Sequence, residues 1–572
     1  MKTLNKLLEI LDKKTLRKLV ILVPFLIFVS FIEVLSIALV LPVISLTINP
    51  NQSDLFLNSE INNILNINNS NELLIALILV LLSVFILKYF FLTFYYYFQN
   101  KVAFDVMHET TNKLYKSYLN KNFKFHLNNN STHIISNLST QLPDMVYNFV
   151  QPLLILISEI FVISSIFIIV FFFDYKTAFL FILIAMTGFV FFKLLSSKIK
   201  KWGEKRIIYE KLKVQNIQQS ILSIKETIIH DRKNYFLNKV KNYSNFHRIL
   251  LTKYFTLLEI PKMIFEFIAL FSILLFLSYS IFVLKIIDTE IIPIIGTFCM
   301  AAYRIMPAAN KILVSLQRIK FSTNSLENLY RVFKDQKNDQ IQINNIEKKF
   351  INNFNILRLS KLNFYYNNND LVLKDINLEI NAGEAIGVVG KSGSGKSSLI
   401  NLLLGLLKPT SGKIEINNIE LEKCLRSWQK LLGYVPQNIN LVDGSIKENI
   451  LLGQKDNKQM INEAIKLANL ENLINDSDGG INTQVGENGI KISGGQKQRL
   501  GIARALYGGR KILFFDEATS ALDEETEKKI MKNIYSLRKI KTLIIVTHNK
   551  ELLKNCDKIY KIENKNLIKI SI

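Results

Sequence analysis

The sequence predicts a polytopic α-helical membrane domain of six spans, fused to an α/β domain that contains a phosphate-binding loop. Three observations predict this fold class. Six long apolar runs fill the first part of the 572-residue chain, and residues 355–572 alternate short β-rich runs with helical segments. The Gly-rich stretch "GKSGSGKSS" at 390–398 follows the strand-like run "AIGVVG". The mean hydropathy of +0.21 therefore averages a strongly apolar part and an ordinary soluble part.

The six apolar runs are each long enough to cross a bilayer as a helix. Before them, residues 2–17 place leucines at helical spacing opposite lysines, which predicts an N-terminal helix lying in the membrane interface. The runs lie at residues 19–48, 73–97, 145–173, 176–197, 256–284 and 289–314.

The net charge of +24 is concentrated in loops between the apolar runs. Residues 199–254 hold thirteen basic and four acidic residues, and 98–144 are also rich in lysine, whereas 49–72 contain no Lys or Arg. Basic loops stay on the cytosolic side, so both termini are predicted to be cytosolic and the two basic segments to be helical extensions into the cytosol. This arrangement favours membrane topology over a nucleic-acid partner.

A charged, Asn-rich segment without apolar periodicity separates the two parts of the chain. We place the membrane domain at residues 1–330, a linker at 331–354 and the α/β domain at 355–572. The short runs "AIGVVG", "ILFFDE" and "TLIIVTH" predict a mainly parallel sheet in the last of these.

The stretch 390–398 matches the pattern G-x-x-x-x-G-K-[ST] of a loop that holds nucleotide phosphates. Glycines let backbone N–H groups surround the phosphates, Lys396 reaches the β- and γ-phosphates, and Ser397 offers an oxygen to Mg²⁺. The alternative is a structural Gly-rich turn, which this strand–loop–helix context disfavours. The candidate nucleotide-binding residues are Gly390, Ser392, Gly393, Ser394, Gly395, Lys396, Ser397 and Ser398.

The stretch "KILFFDEATSALD" at 511–523 supplies a second half of such a site. Four apolar residues predict a buried strand whose carboxyl end presents Asp516 to Mg²⁺. Glu517 is then placed to polarise the attacking water as a general base. Taken alone, the stretch could also be a buried strand ending in an acidic helix cap.

A second Gly-rich loop, "KISGGQKQR" at 491–499, opens a further helix, whose N-terminus suits an anion. With this loop the α/β region resembles the ATP-binding cassette family. Ser493, Gly494, Gly495 and Gln496 match the family's signature, with Ile492 where leucine is commoner.

The resemblance assigns further roles by position. Gln437 in "GYVPQN" matches the Q-loop, and His548 in "IIVTHN" matches the switch histidine. Tyr366 matches the aromatic residue that stacks on adenine, Tyr365 being the alternative register, and 520–523 match the D-loop. The implied catalytic residues are Glu517, His548 and Gln437, the implied Mg²⁺ ligands are Ser397, Gln437 and Asp516, and the implied cofactors are ATP and Mg²⁺.

Two cassettes of this family sandwich two ATP molecules, each between the phosphate loop of one chain and the signature of the other. One cassette and about six spans are half of that assembly, so the resemblance implies a homodimer; a different partner chain is the alternative. Six spans ahead of one cassette resemble an exporter half-transporter. Segments 122–131 and 222–236 resemble the parts of exporters that couple the two domains.

Three cations in or beside the apolar runs are candidates for a substrate path: Lys262, Arg304 and Lys311. Arg304 and Lys311 lie two helical turns apart on one face, with Pro307 between them as a possible bend. A cation inside a bilayer is costly and often marks a transport path. The alternatives are that Lys311 reaches the membrane interface and that Lys262 pairs with Glu259 or Glu266.

The stretches "FVSFIEVLSIALVLPVISL" and "YRIMPAANKILVSLQ" resemble the lipid-linked oligosaccharide flippases of bacterial protein N-glycosylation. That resemblance implies a bacterial inner-membrane flippase for a polyprenyl-pyrophosphate glycan, with the lipid pyrophosphate held by cavity cations. An external helix carrying Leu57, Ile61, Ile64 and Leu65 would meet the polyprenyl tail. Export of another lipid, a peptide or a drug is the alternative, and a membrane-bound regulatory ATPase is a further one.

Overall fold

The structure is a computed structural model that describes residues 2–48, 70–173, 175–279, 291–346, 349–366 and 370–571. The chain forms two compact units. The helical unit comprises Met1–Lys121 and Asn129–Lys337, and the α/β unit comprises Asn122–Asn128 and Asn338–Ile572. The predicted external helix at 49–72 lies almost wholly outside the described residues.

Twelve described helices precede the first strand. They are α1 (Lys2–Ile10), α2 (Lys13–Ala38), α3 (Val40–Ile48), α4 (Ser70–Leu119), α5 (Phe123–Asn128), α6 (Ser131–Ser136), α7 (Leu142–Met145), α8 (Gln151–Phe173), α9 (Tyr175–Leu222), α10 (Ile224–Ile229), α11 (Lys233–Tyr279) and α12 (Ile291–Ile346).

The apolar runs form helices because a bilayer offers no other partner to their backbone N–H and C=O groups. Among the described residues, three stretches are long and apolar enough to cross a membrane: Lys13–Ser36, Asn71–Leu119 and Ser131–Ile168. Helix α9 covers the predicted run 176–197, and α11 and α12 cover the described parts of the runs 256–284 and 289–314. The chain is thus a membrane protein, and the count of six spans stays a prediction.

Several helices are far longer than a bilayer requires. Helix α4 has 50 residues and α12 has 56, which correspond to roughly 75 and 84 Å at 1.5 Å per residue, against a hydrocarbon core of about 30 Å. Helix α4 continues into the predicted basic extension at 98–144. Helix α12 passes through Pro307 and ends only at Ile346, so most of the predicted linker at 331–354 is helical. The predicted domain boundaries themselves stay a prediction.

Helix α1 buries part of its apolar stripe against the chain itself. Leu7 and Ile10 are each 2% exposed, while Leu4 and Leu8 are each 41% exposed. The Lys113 ammonium on α4 donates to the Ile10 carbonyl (3.1 Å). The helix is therefore docked on protein along one side, and its predicted contact with the membrane interface stays a prediction.

Helices α6, α7 and α8 run on from one another through two π-helical turns, Asn137–Gln141 and Val146–Val150. Between these turns the buried Asp144 carboxylate receives two hydrogen bonds from Arg206 of α9, at 2.8 and 2.5 Å. Ser322 and Ser325 of α12 donate to the same carboxylate, at 3.0 and 2.5 Å. One carboxylate thus joins three long helices of the helical unit.

The described part of the α/β unit contains ten strands. They are β1 (Ile356–Tyr365), β2 (Leu371–Asn381), β3 (Ala385–Gly390), β4 (Ser411–Ile416), β5 (Ile419–Glu420), β6 (Leu432–Val435), β7 (Ile512–Asp516), β8 (Thr542–Val546), β9 (Lys558–Glu563) and β10 (Asn566–Ile570). Seven α-helices accompany them: α13 (Lys396–Leu403), α14 (Leu425–Lys430), α15 (Ile446–Leu451), α16 (Lys458–Leu467), α17 (Glu471–Asn475), α18 (Gly494–Leu506) and α19 (Glu524–Ser536).

The strands form two sheets. The larger has the order β10-β9-β3-β8-β7-β6, in which β10 is antiparallel and the other five strands are parallel. The smaller, β2-β1-β4-β5, is antiparallel. Every residue of β7 and β8 is buried, as expected for parallel strands covered on both faces. The mainly parallel sheet predicted from the sequence is therefore confirmed.

The short helix α5 belongs to the α/β unit although it follows α4 in the chain. Its Phe123 packs against the core that contains Trp428 and Leu403. This is the first predicted coupling segment. The second, at 222–236, includes α10 and leaves Leu222 and Ile229 78% and 77% exposed in the helical unit. The coupling role of both segments stays a prediction.

We expect Asp144→Ala to destabilise the helical unit strongly, because it leaves the Arg206 guanidinium buried without its carboxylate. Loss of one partner of a buried ion pair costs about 3–5 kcal/mol. Thermal unfolding of the purified protein in detergent measures the change. Asp105→Ala, which removes the partly exposed partner of Lys18, is the matched control and should cause a much smaller loss. Equal losses in the two variants would contradict this role for Asp144.

Candidate nucleotide-binding site

The phosphate loop at 390–398 lies at the carboxyl end of β3 and leads into α13. Gly393 and Gly395 have φ values of +78° and +104°, a region that residues with a side chain rarely adopt. Lys396, the first residue of α13, is 9% exposed, and its ammonium donates to the carbonyls of Gly390 (2.9 Å) and Lys391 (3.2 Å). The loop thus holds the lysine amine beside the free N–H groups that begin a helix.

The loop residues fit a bound phosphate. A Cβ atom added at Gly390 would lie 2.5 Å from the Ser394 hydroxyl oxygen, so only glycine fits there. That Ser394 hydroxyl is buried and has no hydrogen-bond partner among the described residues. Ser392 and Ser397 are exposed, whereas Ser398 is buried and its hydroxyl lies 3.1 Å from that of Tyr366. A buried hydroxyl without a partner and the unpaired N–H groups at a helix N-terminus are the donors that an anion needs.

The other predicted catalytic residues converge on Glu517. The Gln437 amide donates to the Glu517 carboxylate at 2.8 Å. Nδ1 of His548 lies 3.7 Å, and the Lys396 ammonium 3.8 Å, from the other oxygen of that carboxylate. They meet because each follows the carboxyl end of a neighbouring parallel strand, and these ends share one edge of the sheet.

Glu517 has an unusual backbone conformation. Its φ is +48°, and its N–H donates to the Val546 carbonyl of β8 at 2.9 Å. Positive φ is uncommon for a residue other than glycine and is frequent at functional sites. This conformation turns the chain sharply after β7 and directs the carboxylate of Glu517 toward Gln437.

Asp516, the last residue of β7, is 5% exposed. Burial first, and then the neighbouring charge of Glu517, raise the pKa of its carboxyl to about 6 although Lys396 opposes them. Asp516 is therefore still mostly ionised at pH 7. The proposed Mg²⁺ ligands are this carboxylate with the neutral oxygens of Ser397 and Gln437, and such a sparse set suits an ion that keeps several of its waters.

The signature loop at 491–499 begins the 13-residue helix α18 with a capping box. The Ser493 hydroxyl accepts from the Gln496 N–H (3.2 Å), and the Gln496 side chain accepts from the Ser493 N–H (2.8 Å). Ser493 and Gly494 are exposed. Within the described part of the chain, no hydrogen bond or ion pair joins this loop to the phosphate loop. The loop therefore presents a helix N-terminus that its own phosphate loop does not use.

Gln498 is a residue that the sequence reasoning missed. Its side chain donates to the Ser520 hydroxyl (3.1 Å) and accepts from the Ala521 N–H (2.9 Å). It thereby fixes the signature helix to the D-loop at 520–523. A mid-helix glutamine carries no distinctive sequence pattern, so only the fold could reveal this contact.

Tyr366 lies just beyond β1 and is 36% exposed. Its ring meets that of Phe364 edge-on, with centroids 4.9 Å apart, and its hydroxyl reaches Ser398 at the start of α13. Tyr365 is instead paired within the sheet, opposite Leu371. The exposed ring beside the phosphate loop suits the predicted stacking on adenine, which stays a prediction.

Two of the three predicted substrate-path cations have partners that the sequence reasoning did not assign. The Arg304 Nε donates to Glu33 (2.5 Å), and the Lys311 ammonium donates to Glu159 (2.7 Å). Arg304 also lies 3.6 Å from Glu159, and Lys88 lies 3.6 Å from Glu33. We call these five residues the ion cluster.

The sequence did contain a signal for this cluster. Glu33, Lys88 and Glu159 are each the single charged residue of their predicted apolar run, at 19–48, 73–97 and 145–173. A lone charge in such a run needs an opposite charge from another helix. Lys262, in contrast, is exposed and forms no ion pair with Glu259, Glu266 or any other described residue.

Two family models match the chain. The ABC transporter transmembrane region matches residues 35–289, and the ABC transporter model matches residues 373–520. The chain belongs to the ABC transporters. It carries a transmembrane exporter domain fused to an ATP-binding domain, as the sequence predicts.

Known proteins agree with this assignment. Over 213 residues this ABC transporter is 39% identical to the uncharacterised ABC transporter ATP-binding protein YwjA of Bacillus subtilis. Over the same length it is 43% identical to an ATP-binding/permease protein of Staphylococcus aureus whose name provisionally assigns it to multidrug export. Each match spans 37% of this chain and 37% of the relative. An ATP-bound bacterial Atm1-family ABC exporter shares the fold, with a TM-score of 0.76 and 18% identity over 97% of this chain and 95% of that one.

We expect Glu517→Gln to keep ATP binding and to lower ATP turnover by roughly 10²–10⁴, the contribution typical of a general base. The amide preserves the shape of the side chain but cannot take a proton from water. Nucleotide binding and phosphate release by the purified variant measure the two effects. Glu524→Gln, at the exposed start of α19, is the matched control and should hydrolyse ATP like the wild type. Near-normal turnover by Glu517→Gln would remove the assignment.

Proposed function

We propose that this ABC transporter is a homodimeric, ATP-driven exporter. The convergence of Lys396, Gln437 and His548 on the Glu517 carboxylate carries the proposal, because it places a cation, an amide donor and an imidazole around one general base. Such an arrangement can orient a water for attack on a phosphate held by the loop at 390–398. Because the membrane helices belong to the same chain, ATP hydrolysis can be coupled to transport across the membrane.

Each residue has a defined part in this proposal. Glu517 takes the proton of the attacking water, and Gln437 and His548 orient its carboxylate. Lys396, already fixed by the loop carbonyls, balances the negative charge of the phosphates. Bound Mg²⁺ would lower the cost of the charge that develops on the phosphate oxygens. Asp516 would hold that ion from its buried position at the end of β7.

The signature loop supports the homodimer. Its helix N-terminus and exposed Ser493 are directed to no phosphate loop in the described part of the same chain. A second copy of the chain supplies the phosphate loop that this anion-binding terminus suits, and two copies complete two sites. The membrane helices and the basic extensions support a bacterial inner-membrane location with the ATP-binding domain and both termini in the cytosol.

This dimer predicts complementation between two inactive variants. Lys396→Ala disables the phosphate loop, and Ser493→Arg blocks the signature, so each variant alone should lack ATP turnover. A mixed dimer keeps one intact phosphate loop facing one intact signature and should recover at most one working site. Phosphate release from co-purified, differently tagged variants measures this. Full activity of an isolated monomeric ATP-binding domain would contradict the sandwich.

The substrate proposal rests on the ion cluster and not on the names of relatives. The curated relatives match only 37% of the chain, so the multidrug assignment of one of them does not define the substrate here. The cluster holds three cations against two carboxylates, which leaves one positive charge among apolar helices. We propose that this excess charge selects an anionic lipid head group, and in particular a lipid-linked oligosaccharide with its pyrophosphate.

Export of a drug or peptide is the alternative substrate class. It is favoured by the pairing of Arg304 and Lys311 with carboxylates, which reduces the charge available to an anion. A regulatory ATPase that moves no substrate is a further alternative. Flipping of a fluorescent lipid-linked glycan in proteoliposomes separates the proposed function from both alternatives, since only the proposed function moves the glycan lipid with ATP.

Lys311 is the cluster cation best placed to meet a substrate, because its side chain is 43% exposed. We expect Lys311→Gln to reduce glycan-lipid flipping per assembled dimer by about tenfold, the effect of losing one charge-assisted contact. Lys311→Arg should be tolerated, since a guanidinium suits a phosphate. Lys101→Gln, an exposed position on α4, is the control. Unchanged flipping by Lys311→Gln would return Lys311 to a structural role.

A further inference from the structure

Glu159 lies between the buried Arg304 and the more exposed Lys311 of the ion cluster. Its side chain on α8 is 4% exposed. One carboxylate oxygen accepts from Lys311 at 2.7 Å. The other lies 3.6 Å from an Arg304 nitrogen and forms no hydrogen bond among the described residues. Glu159 is thus held firmly by Lys311 and only loosely by Arg304.

The two carboxylates of the cluster differ in how their partners are exposed. Glu33 pairs with Arg304 and Lys88, whose side chains are 17% and 10% exposed. Glu159 pairs with Lys311, whose side chain is 43% exposed. A ligand that enters the cluster therefore meets the Lys311–Glu159 pair first, while the Glu33 pairs stay covered.

Charge pairing limits how an anion can enter. A cation among apolar membrane helices keeps an anionic partner, since leaving it unpaired is costly. Glu159 is that partner for Lys311 when no substrate is present. An incoming phosphate competes with Glu159 for Lys311 and for the weakly held Arg304 nitrogens. Binding and release then exchange one ion pair for another, and the lysine is never left without an anion.

We infer that Glu159 is an internal counterion, which an anionic phosphate head group displaces on binding and which returns to Lys311 and Arg304 when that head group leaves. The inference rests on the proposed function and adds to it a mechanism for substrate release. Glu159 is a positioning residue in this scheme, because it acts through the two cations.

The exchange affects binding and turnover in opposite directions. Competition by Glu159 weakens the binding of the anionic substrate. This need not slow transport, because tight binding of the substrate does not by itself accelerate a transport cycle. Its return stabilises the cluster as the substrate departs. Removing the charge should therefore tighten binding and slow release. A carboxylate that only held the helices together would, when lost, weaken both binding and turnover.

The test uses the full-length protein in proteoliposomes with polyprenyl pyrophosphate as the probe and neutral polyprenol as the blank. Lipid-stimulated ATP hydrolysis gives the half-saturating lipid concentration and the maximal rate. For Glu159→Gln we expect the half-saturating concentration to fall by about tenfold and the maximal rate to fall severalfold, the scale of one charge-assisted contact. Polyprenol should produce no such change.

Glu33→Gln is the matched control, because it removes the same charge from the covered side of the cluster. A general change in electrostatic potential would shift both variants equally. Displacement requires that the half-saturating concentration and the maximal rate fall together in Glu159→Gln and not in Glu33→Gln. Equal shifts, or an unchanged or higher half-saturating concentration in Glu159→Gln, would overturn the inference.

Glu159→Asp keeps the measurement decisive if the glutamine variant does not assemble. It retains the charge but withdraws the carboxylate from Lys311 by one methylene, so the half-saturating concentration should fall by a smaller factor. A rise would overturn the inference. If polyprenyl pyrophosphate does not stimulate the wild type beyond polyprenol, the proposed substrate class fails and the inference fails with it; a normal wild-type response with no shift in the variants rejects the inference alone.

Discussion

The pairing of charges between apolar helices is the constraint on which the helical unit depends. Glu33, Lys88 and Glu159 each stand alone in an apolar run, and an isolated charge there is costly. The structure resolves this by bringing α2, α4, α8 and α12 together at Arg304 and Lys311. Because the partners come from four helices, the same contacts that relieve the charges also fix which helices are neighbours.

A similar principle operates at Asp144, which lies 15 residues before Glu159 in the chain. Asp144 collects donors from α9 and α12 at a position between two π-helical turns. The helix formed by α6 to α8 therefore meets α12 through polar contacts at two levels, Asp144 and Glu159. Polar contacts of this kind specify which helices pair and in which register, whereas apolar contacts between helices in a bilayer do not. They also leave buried charges to which a ligand can bind, or which a conformational change can pair differently.

In the ATP-binding domain, the topology of the parallel sheet brings the site residues together. Parallel strands place their carboxyl ends on one edge of the sheet, so residues distant in sequence meet without any direct pattern linking them. Lys396, Gln437 and His548 follow three different strands and reach the carboxylate of Glu517, which follows a fourth strand. The positive φ of Glu517 and the paired glycines of the phosphate loop are local deviations that this shared edge accommodates.

The sequence by itself determined the order of the domains, the phosphate loop, Asp516 and Glu517, because glycine spacing and apolar strand runs are local patterns with a direct physical meaning. It also identified Arg304 and Lys311 as unusual, since a cation in an apolar run is visible without a structure. Only the tertiary structure decided their partners, Glu33 and Glu159, and the contact of Gln498 with the D-loop, because these side chains are brought together by helix packing over long separations in the chain. It likewise decided that α12 continues into the predicted linker as far as Ile346 and that α1 docks on protein, since helix propensity alone does not say where a helix ends or what its apolar face meets.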